Sequence, residues 1–401
     1  MAKHKLTRRQ FLKNVGITCA FGDLLINPIT SQAAYAKQGQ IESTKKRPHM
    51  EYRVLGKTGL KVSALSFGVM RLTDPAVLFE ALELGVNFFD TANKYQNGNN
   101  ETMLGSVLKE YGRDKVFIAT KISPSRKHLG TSILRDPEEM QKMMDESLQR
   151  LKTDYVDVLF LHSIKDATWS ANENMMTFLE NQKKAGKARF VGISFHVEGN
   201  TYVDVIDQAL ETNFYDVFLA THNFKSPPEH IEALKRARSK QVGVIAMKTQ
   251  AGGYEKGIRG NLTPHQAALK WVLDHDYVDC AIPGMVNREQ LMQNRSVVGE
   301  EMSSNDREVL DAYYSSIKDH YCINCGACNS FCKKGVDVQS VHRALMYWEG
   351  YGDPDLARNT YRELSVDENA QACMTCSSPT CNCINGINIG ERMRHAHTVF
   401  V

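Results

Sequence analysis

Eight short apolar runs punctuate this chain. They are Ala64–Gly68, Val86–Asp90, Val116–Lys121, Val156–His162, Phe190–Ser194, Val217–Ala220, Gly243–Met247 and Cys280–Pro283. Continuous apolar runs of this length read as strands buried on both faces, as in a parallel sheet. Amphipathic stretches separate them. Pro137–Leu151 has proline at its start and Leu148 and Leu151 on one face, which predicts a helix. Strand and helix alternating over eight units predict closure into a (β/α)8 barrel, an α/β fold of about 250 residues. Ahead of the first run, Tyr52–Leu55, the turn Lys57-Thr58-Gly59 and Leu60–Val62 predict a β-hairpin. Residues 304–320 predict a last helix, with Ser304 as its N-cap. The polar loop from Ser123 to Asp136 is longer than most. It reads either as a cover for the substrate or as a surface insertion.

In a β/α barrel the catalytic rim lies at the C-terminal ends of the strands. Asp90 ends the second run, Tyr95 sits in the loop after it, Lys121 ends the third run and His162 the fourth. An acid, a phenol, an amine and an imidazole on one rim suit proton-coupled hydride transfer to a carbonyl.

The segment Asp90-Thr91-Ala92-Asn93-Lys94-Tyr95, then Glu101-Thr102-Met103-Leu104-Gly105, with its spacing to Lys121 and His162, resembles the aldo-keto reductases over roughly residues 50 to 300. The resemblance implies that the hairpin plugs the barrel bottom and that Tyr95 is the general acid. It implies that Lys121 lowers the phenol's pKa from ~10 and that Asp90 pairs with Lys121. His162 would hydrogen-bond the substrate oxygen or tune Tyr95. The implied cofactor is NADP or NAD, and the implied substrate a small carbonyl or sugar-like compound. Gly68, Ser194, Met247, Gly284 and Asn294 stand at the implied cofactor positions. Several neighbours depart from the family. Phe195 follows Ser194 where an Asn is expected, with His196 next. Met247 replaces a stacking Tyr, Gly284 a Lys and Gln290 an Arg. Arg288 reads either as a partner for a 2′-phosphate or as a solvated surface residue. No Gly-rich dinucleotide fingerprint appears, and the family does not use one.

The formal charge of the 401-residue chain is +3. The first 36 residues hold Lys3, Lys5, Arg8, Arg9 and Lys13 against Asp23, and the remainder carries 44 basic and 45 acidic side chains. Nothing in this balance points to nucleic acid, and no apolar stretch reaches the ~20 residues a membrane span needs. Thr7-Arg8-Arg9-Gln10-Phe11-Leu12-Lys13 resembles a bacterial twin-arginine export signal. An apolar region from Val15 to Ile29 and a small-x-small site at Ala34-Tyr35-Ala36 follow. Residues 1–36 then read as a signal peptide and 37–49 as a polar linker, which would place the protein in the periplasm or another extracytoplasmic space. The other reading is a plain basic N-terminus.

Eight of the ten cysteines lie after residue 320. Cys322, Cys325, Cys328 and Cys332 have the bacterial ferredoxin spacing. Cys373, Cys376, Cys381 and Cys383 form a second set whose third member is displaced, with Pro379 at the usual position. By analogy with two-cluster ferredoxins, Cys322, Cys325, Cys328 and Cys383 would hold one [4Fe-4S] cluster. Cys332, Cys373, Cys376 and Cys381 would hold the other. Disulfides and a zinc site built from two CxxC pairs are the competing readings. Cys280 reads as a core residue. The expected division is a barrel over residues 50–318 and a small ferredoxin-type α/loop domain over 319–401. The whole resembles exported aldo-keto reductases with a C-terminal ferredoxin-type domain. Two functions follow: an oxidoreductase whose clusters relay electrons to a redox partner protein, or an electron-transfer or ligand-binding protein with a silent barrel.

Overall fold

The computed structural model describes residues 49–401 except 129–130, 198–199, 255–261, 326 and 378–379. The expected signal peptide and nearly all of the linker lie outside the described residues.

Strands β1 (Tyr52–Val54) and β2 (Lys61–Ser63) form an antiparallel hairpin. After it come β3 (Phe67–Gly68), β4 (Phe88–Asp90) and β5 (Phe117–Ile122). The polar loop is not a plain loop. It contains β6 (Ser125–His128) and β7 (Thr131–Leu134), paired antiparallel. The series ends with β8 (Val156–Ile164), β9 (Ala188–Phe195), β10 (Val217–Thr221), β11 (Gly243–Met247) and β12 (Cys280–Ala281). Eight strands neighbour one another in the order β12-β11-β10-β9-β8-β5-β4-β3, all parallel. Parallel bridges Leu65–Ala281 and Gly68–Gly284 join the two ends, and Ser66 N donates to Ala281 O at 2.9 Å. All eight predicted runs are barrel strands, and Pro137–Leu151 is a helix with those bounds.

The strands are apolar on both faces because both are buried. Phe89, Ile118, Leu159, Leu161, Ile193, Phe218 and Val244 face the surrounding helices. Phe88, Ala119, Val158, Phe160, Val217, Leu219, Ile245 and Cys280 fill the interior. Leu55, Leu60 and Val62 of the hairpin join that interior cluster. Gly56 N donates to Asp279 just before β12, so the hairpin closes the bottom.

The last barrel helix is Ser304–Ile317. Its N-cap is Ser303, not Ser304, in a reciprocal capping box with Asp306. The chain then continues through helices Ala327–Phe331, Val338–Glu349, Pro354–Arg362 and Ile389–Phe400. These share a core of their own. Val341, Ala344, Leu345, Tyr361, Ile389 and Met393 are buried there with Cys328, and Cys322, Cys332, Cys373, Cys381 and Cys383 pack against it.

Candidate functional site

Side chains alternate along a strand with period two. In β4 that puts Phe88 and Asp90 inside, in β5 Ala119 and Lys121, and in β8 Val158, Phe160 and His162. Each polar residue is the topmost inward position of its strand. His162 also lies where the β8–β9 register shifts, between Leu161 and Ile164, and such irregularities re-aim side chains.

Lys121 Nζ donates to Asp90 Oδ2 at 2.5 Å, to Thr91 O at 2.7 Å and to Tyr95 Oη at 3.3 Å. The rings of Tyr95 and His162 meet edge to face, with centroids 5.8 Å apart. The structure therefore brings all four predicted rim residues together. The loop carrying Tyr95 is pinned locally. Gln96 and Asn97 have positive φ, and Gln96 Nε2 donates to Met70 O and Leu72 O. Thr91 Oγ1 donates to Asn100, whose amide donates to Val69 O. Buried Glu101, from the second part of the recognised segment, accepts from Thr120 and Arg150. Those bonds fix the helix after Tyr95 against β5.

Burial dominates the electrostatics. It raises Asp90 and lowers Lys121, while each charge steadies the other. It also lifts the Tyr95 phenol well above its ordinary value, and Asp90 adds to the rise. Lys121 stands 3.3 Å from the phenol oxygen, but burial is the larger effect on Tyr95. Desolvation of the phenolate sets the direction. Tyr95 stands as a protonated donor. His162 is held well below its ordinary value by burial and then by Lys121, Lys94 and Arg343, so the ring is neutral.

The implied cofactor positions are more mixed. Gly68 and Gly284 face each other at the closure. A Cβ on Gly68 would stand 2.7 Å from Ile282 O, so close strand approach alone requires glycine there. Ser194 accepts from Ser163 N and donates to Leu161 O. Met247 packs in the interior cluster, and Asn294 accepts from Gln250. Phe195 is fully buried outside the barrel against Tyr202 and Phe218. Arg288 is an exposed residue paired with Glu80 at 2.8 Å.

The C-terminal segment also reaches the mouth, which the sequence reading missed. Asn324, inside the first cysteine run, donates from its side chain to His196 O at 2.7 Å. The guanidinium of Arg71, in the loop after β3, donates to Tyr351 O and lies 4.5 Å from that ring. His196 is centred 6.5 Å from His162, and burial holds it well below its ordinary value.

Among the described residues no cysteine is disulfide-bonded. None of the groups of three or more His, Cys, Asp or Glu among them could hold one metal ion. The thiols lie near one another, and Cys328 feels Cys325 and Cys383 and also Cys381. Cys322 feels Cys328, Cys325 and Cys383, and burial pushes it up to about 12. Cys373, pushed up to about 11, feels Cys332, Cys381 and Cys376.

Comparison with known proteins agrees with the barrel. Residues 65–260 match the model of the Aldo/keto reductase family. The chain is 35% identical over 218 residues to L-galactose dehydrogenase of Arabidopsis thaliana, covering 51% of this chain and 66% of that protein. It is 32% identical over 224 residues to the uncharacterized oxidoreductase YrpG of Bacillus subtilis, covering 51% of this chain and 68% of that one. The chain belongs to the aldo/keto reductase family. It is an oxidoreductase of that type. Methylglyoxal reductase DkgB of Escherichia coli O157:H7 is 27% identical over 268 residues, covering 63% of this chain and 93% of that protein. Among solved structures, aldo-keto reductase AKR11C1 from Bacillus halodurans superposes with a TM-score of 0.55 at 24% identity. That likeness covers 66% of this chain and 96% of the other, and it speaks for the fold alone. Among the described residues no helix is long and apolar enough to cross a membrane.

Proposed function

We propose that the protein interconverts a small carbonyl compound and its alcohol at the barrel mouth, with NADP or NAD as cofactor and two [4Fe-4S] clusters in the C-terminal segment. The observation that carries the reading is the buried chain from Asp90 through Lys121 to Tyr95, with His162 edge-on to the phenol. Tyr95 and neutral His162 orient the carbonyl oxygen. As the carbonyl carbon accepts hydride, the Tyr95 proton passes to that oxygen. The phenolate left behind lies beside the Lys121 cation, which stabilises it until a proton returns. Bound nicotinamide supplies the hydride and is oxidised in the process.

Cys322, Cys325, Cys328 and Cys383 would hold one cluster and Cys332, Cys373, Cys376 and Cys381 the other. Their spacing and their common core support this. Bound clusters would supply one-electron transfer toward a redox partner protein, and no step of carbonyl reduction is assigned to them. The twin-arginine motif supports export. Lysine at both Arg8 and Arg9 should then leave the precursor in the cytoplasm, and unchanged processing would refute that.

The deciding experiment is anaerobic purification with assay of bound nicotinamide, iron and acid-labile sulfide, followed by aldehyde reduction. About eight irons with equal sulfide are expected, and Cys328→Ser should lose half. Zinc without sulfide would overturn the cluster assignment. Tyr95→Phe should lower kcat ~10²- to 10⁴-fold with little change in nicotinamide affinity. A variant at full rate would remove Tyr95 from the chemistry.

A further inference from the structure

The helix Val338–Glu349 runs across the mouth, and both ends of its run are tied to the rim. At one end Gln339 Nε2 donates to Asn324 O at 2.5 Å, and Asn324 in turn holds His196 O after β9. At the other end Tyr351 is held by Arg71 after β3, and Arg71 also pairs with Asp353 at 3.6 Å. Residues four apart share a helix face, so Gln339, Arg343 and Tyr347 form one row. Arg343 and Tyr347 fall between the two anchors, above the tetrad. The groups beneath respond to them: the Arg343 charge acts on His162 and His196, and Tyr347 acts on Tyr95.

Arg343 is half-buried. Its recorded hydrogen bond is to Ser340 Oγ of its own helix, at 3.3 Å. Among the described residues no carboxylate pairs with it. A guanidinium has five donors in a planar fork, and a partly desolvated cation without an acid is costly. The surroundings add positive charge. Lys94 acts on His162 alongside Arg343, and Lys248 acts on His196 alongside Arg343. Glu363 is the nearby counter-charge, acting on Lys94 and Tyr347, but it forms no ion pair with Arg343 among the described residues. Below, His196 Nδ1 is buried with no hydrogen-bond partner among the described residues.

We infer that Arg343 anchors a carboxylate of the substrate, so that this protein selects carbonyl compounds bearing an acid group on the side away from the reacting carbon. The inference rests on the oxidoreductase reading above. The carbonyl lies down against Tyr95 and His162. The carboxylate lies up against the guanidinium fork, which matches it in a two-bond arrangement. His196, whose ring lies 6.5 Å from that of His162, would offer its unpartnered Nδ1 as a further polar contact. Arg343 touches no reacting atom and sets affinity, not the chemical step.

The test uses the full holoenzyme and two probes differing only in charge, 4-carboxybenzaldehyde and its methyl ester. Calorimetry with nicotinamide present gives their affinities without needing turnover. The wild type should bind the acid ~10- to 100-fold more tightly than the ester, the range expected for a hydrogen-bonded charge pair. Arg343→Gln should bring that ratio near one while sparing ester affinity and nicotinamide affinity. Arg343→Lys, which keeps the charge and loses the fork, should retain part of the ratio. An unchanged ratio in Arg343→Gln overturns the inference. So does weakened NADP binding at an unchanged ratio, which would assign the guanidinium to the cofactor's phosphate. Turnover is scored separately. A charge-dependent ratio without any reduction leaves the anion site standing and overturns the oxidoreductase reading instead.

Discussion

Asp90 and Lys121 are both almost fully buried, and neither would keep its charge alone. Burial raises one pKa and lowers the other. The 2.5 Å contact and the bond to Thr91 O keep them ionised as a pair. Removing one partner strands the other charge in a low-dielectric site, which typically costs ~3–5 kcal/mol. Lys121→Met should therefore lose about that much stability. Adding Asp90→Asn to it should restore most of the loss, because no buried charge remains. Urea unfolding of the four proteins in the cycle measures the coupling. Additive effects would mean that the two side chains do not act as a unit. Activity should stay low in the double variant even as stability returns, since the phenolate then has no cation beside it.

At the level of elements, the barrel was legible because each strand announces itself locally. A short apolar run buried on both faces looks alike in every unit, and period two places Asp90, Lys121 and His162 on its inner top edge. The cofactor positions were less legible. Whether Phe195 faces the mouth or the helices depends on Tyr202 and Phe218, which the local sequence does not show. The helix Val338–Glu349 over the rim, a roof to the site, was not legible as such. Its clasp joins Arg71 to Tyr351, 280 positions apart, and its working face of Gln339, Arg343 and Tyr347 reads as an ordinary polar helix face. Glycine marks how closely the roof sits. A Cβ on Gly350 would stand 2.1 Å from Gly252 O, in the loop after β11. Gly350→Ala must therefore push the helix end off the rim, at a cost of ~1–3 kcal/mol typical of overpacking. Hydrogen exchange should speed up through Val338–Glu349 while the strands stay protected. Unchanged protection of that helix would show that its seating does not depend on this contact.

Taken as a whole, the molecule buries more neutral histidine than its surface suggests, and this governs its response to acid. Burial pushes His222 and His342 each down to about 3, and His162 and His196 are lowered as well. In the unfolded chain these rings titrate near pH ~6.5. Between the two values the unfolded state binds more protons than the folded one, so stability falls as pH falls. Their contribution is complete above pH ~6.5 and is lost progressively below it. Buried carboxyls act the other way. Asp279 is raised to about 6 and Asp90 is also raised, so the folded state takes up protons there first. Four depressed histidines outweigh two raised carboxyls, and the net expectation is acid sensitivity. His222 is the cleanest handle. It is fully buried beside Tyr277, Trp271 and His275. His222→Gln keeps a polar side chain there but removes the titration. Between pH ~4 and ~6 it should flatten the fall in unfolding free energy by ~1.4 kcal/mol per pH unit, the weight of one proton. Urea midpoints across that range, compared with the wild type, read this directly. Acid losses elsewhere, at the thiols included, affect both proteins equally and drop out of the difference. Parallel pH profiles for the two proteins would mean that His222 is not held neutral by the fold.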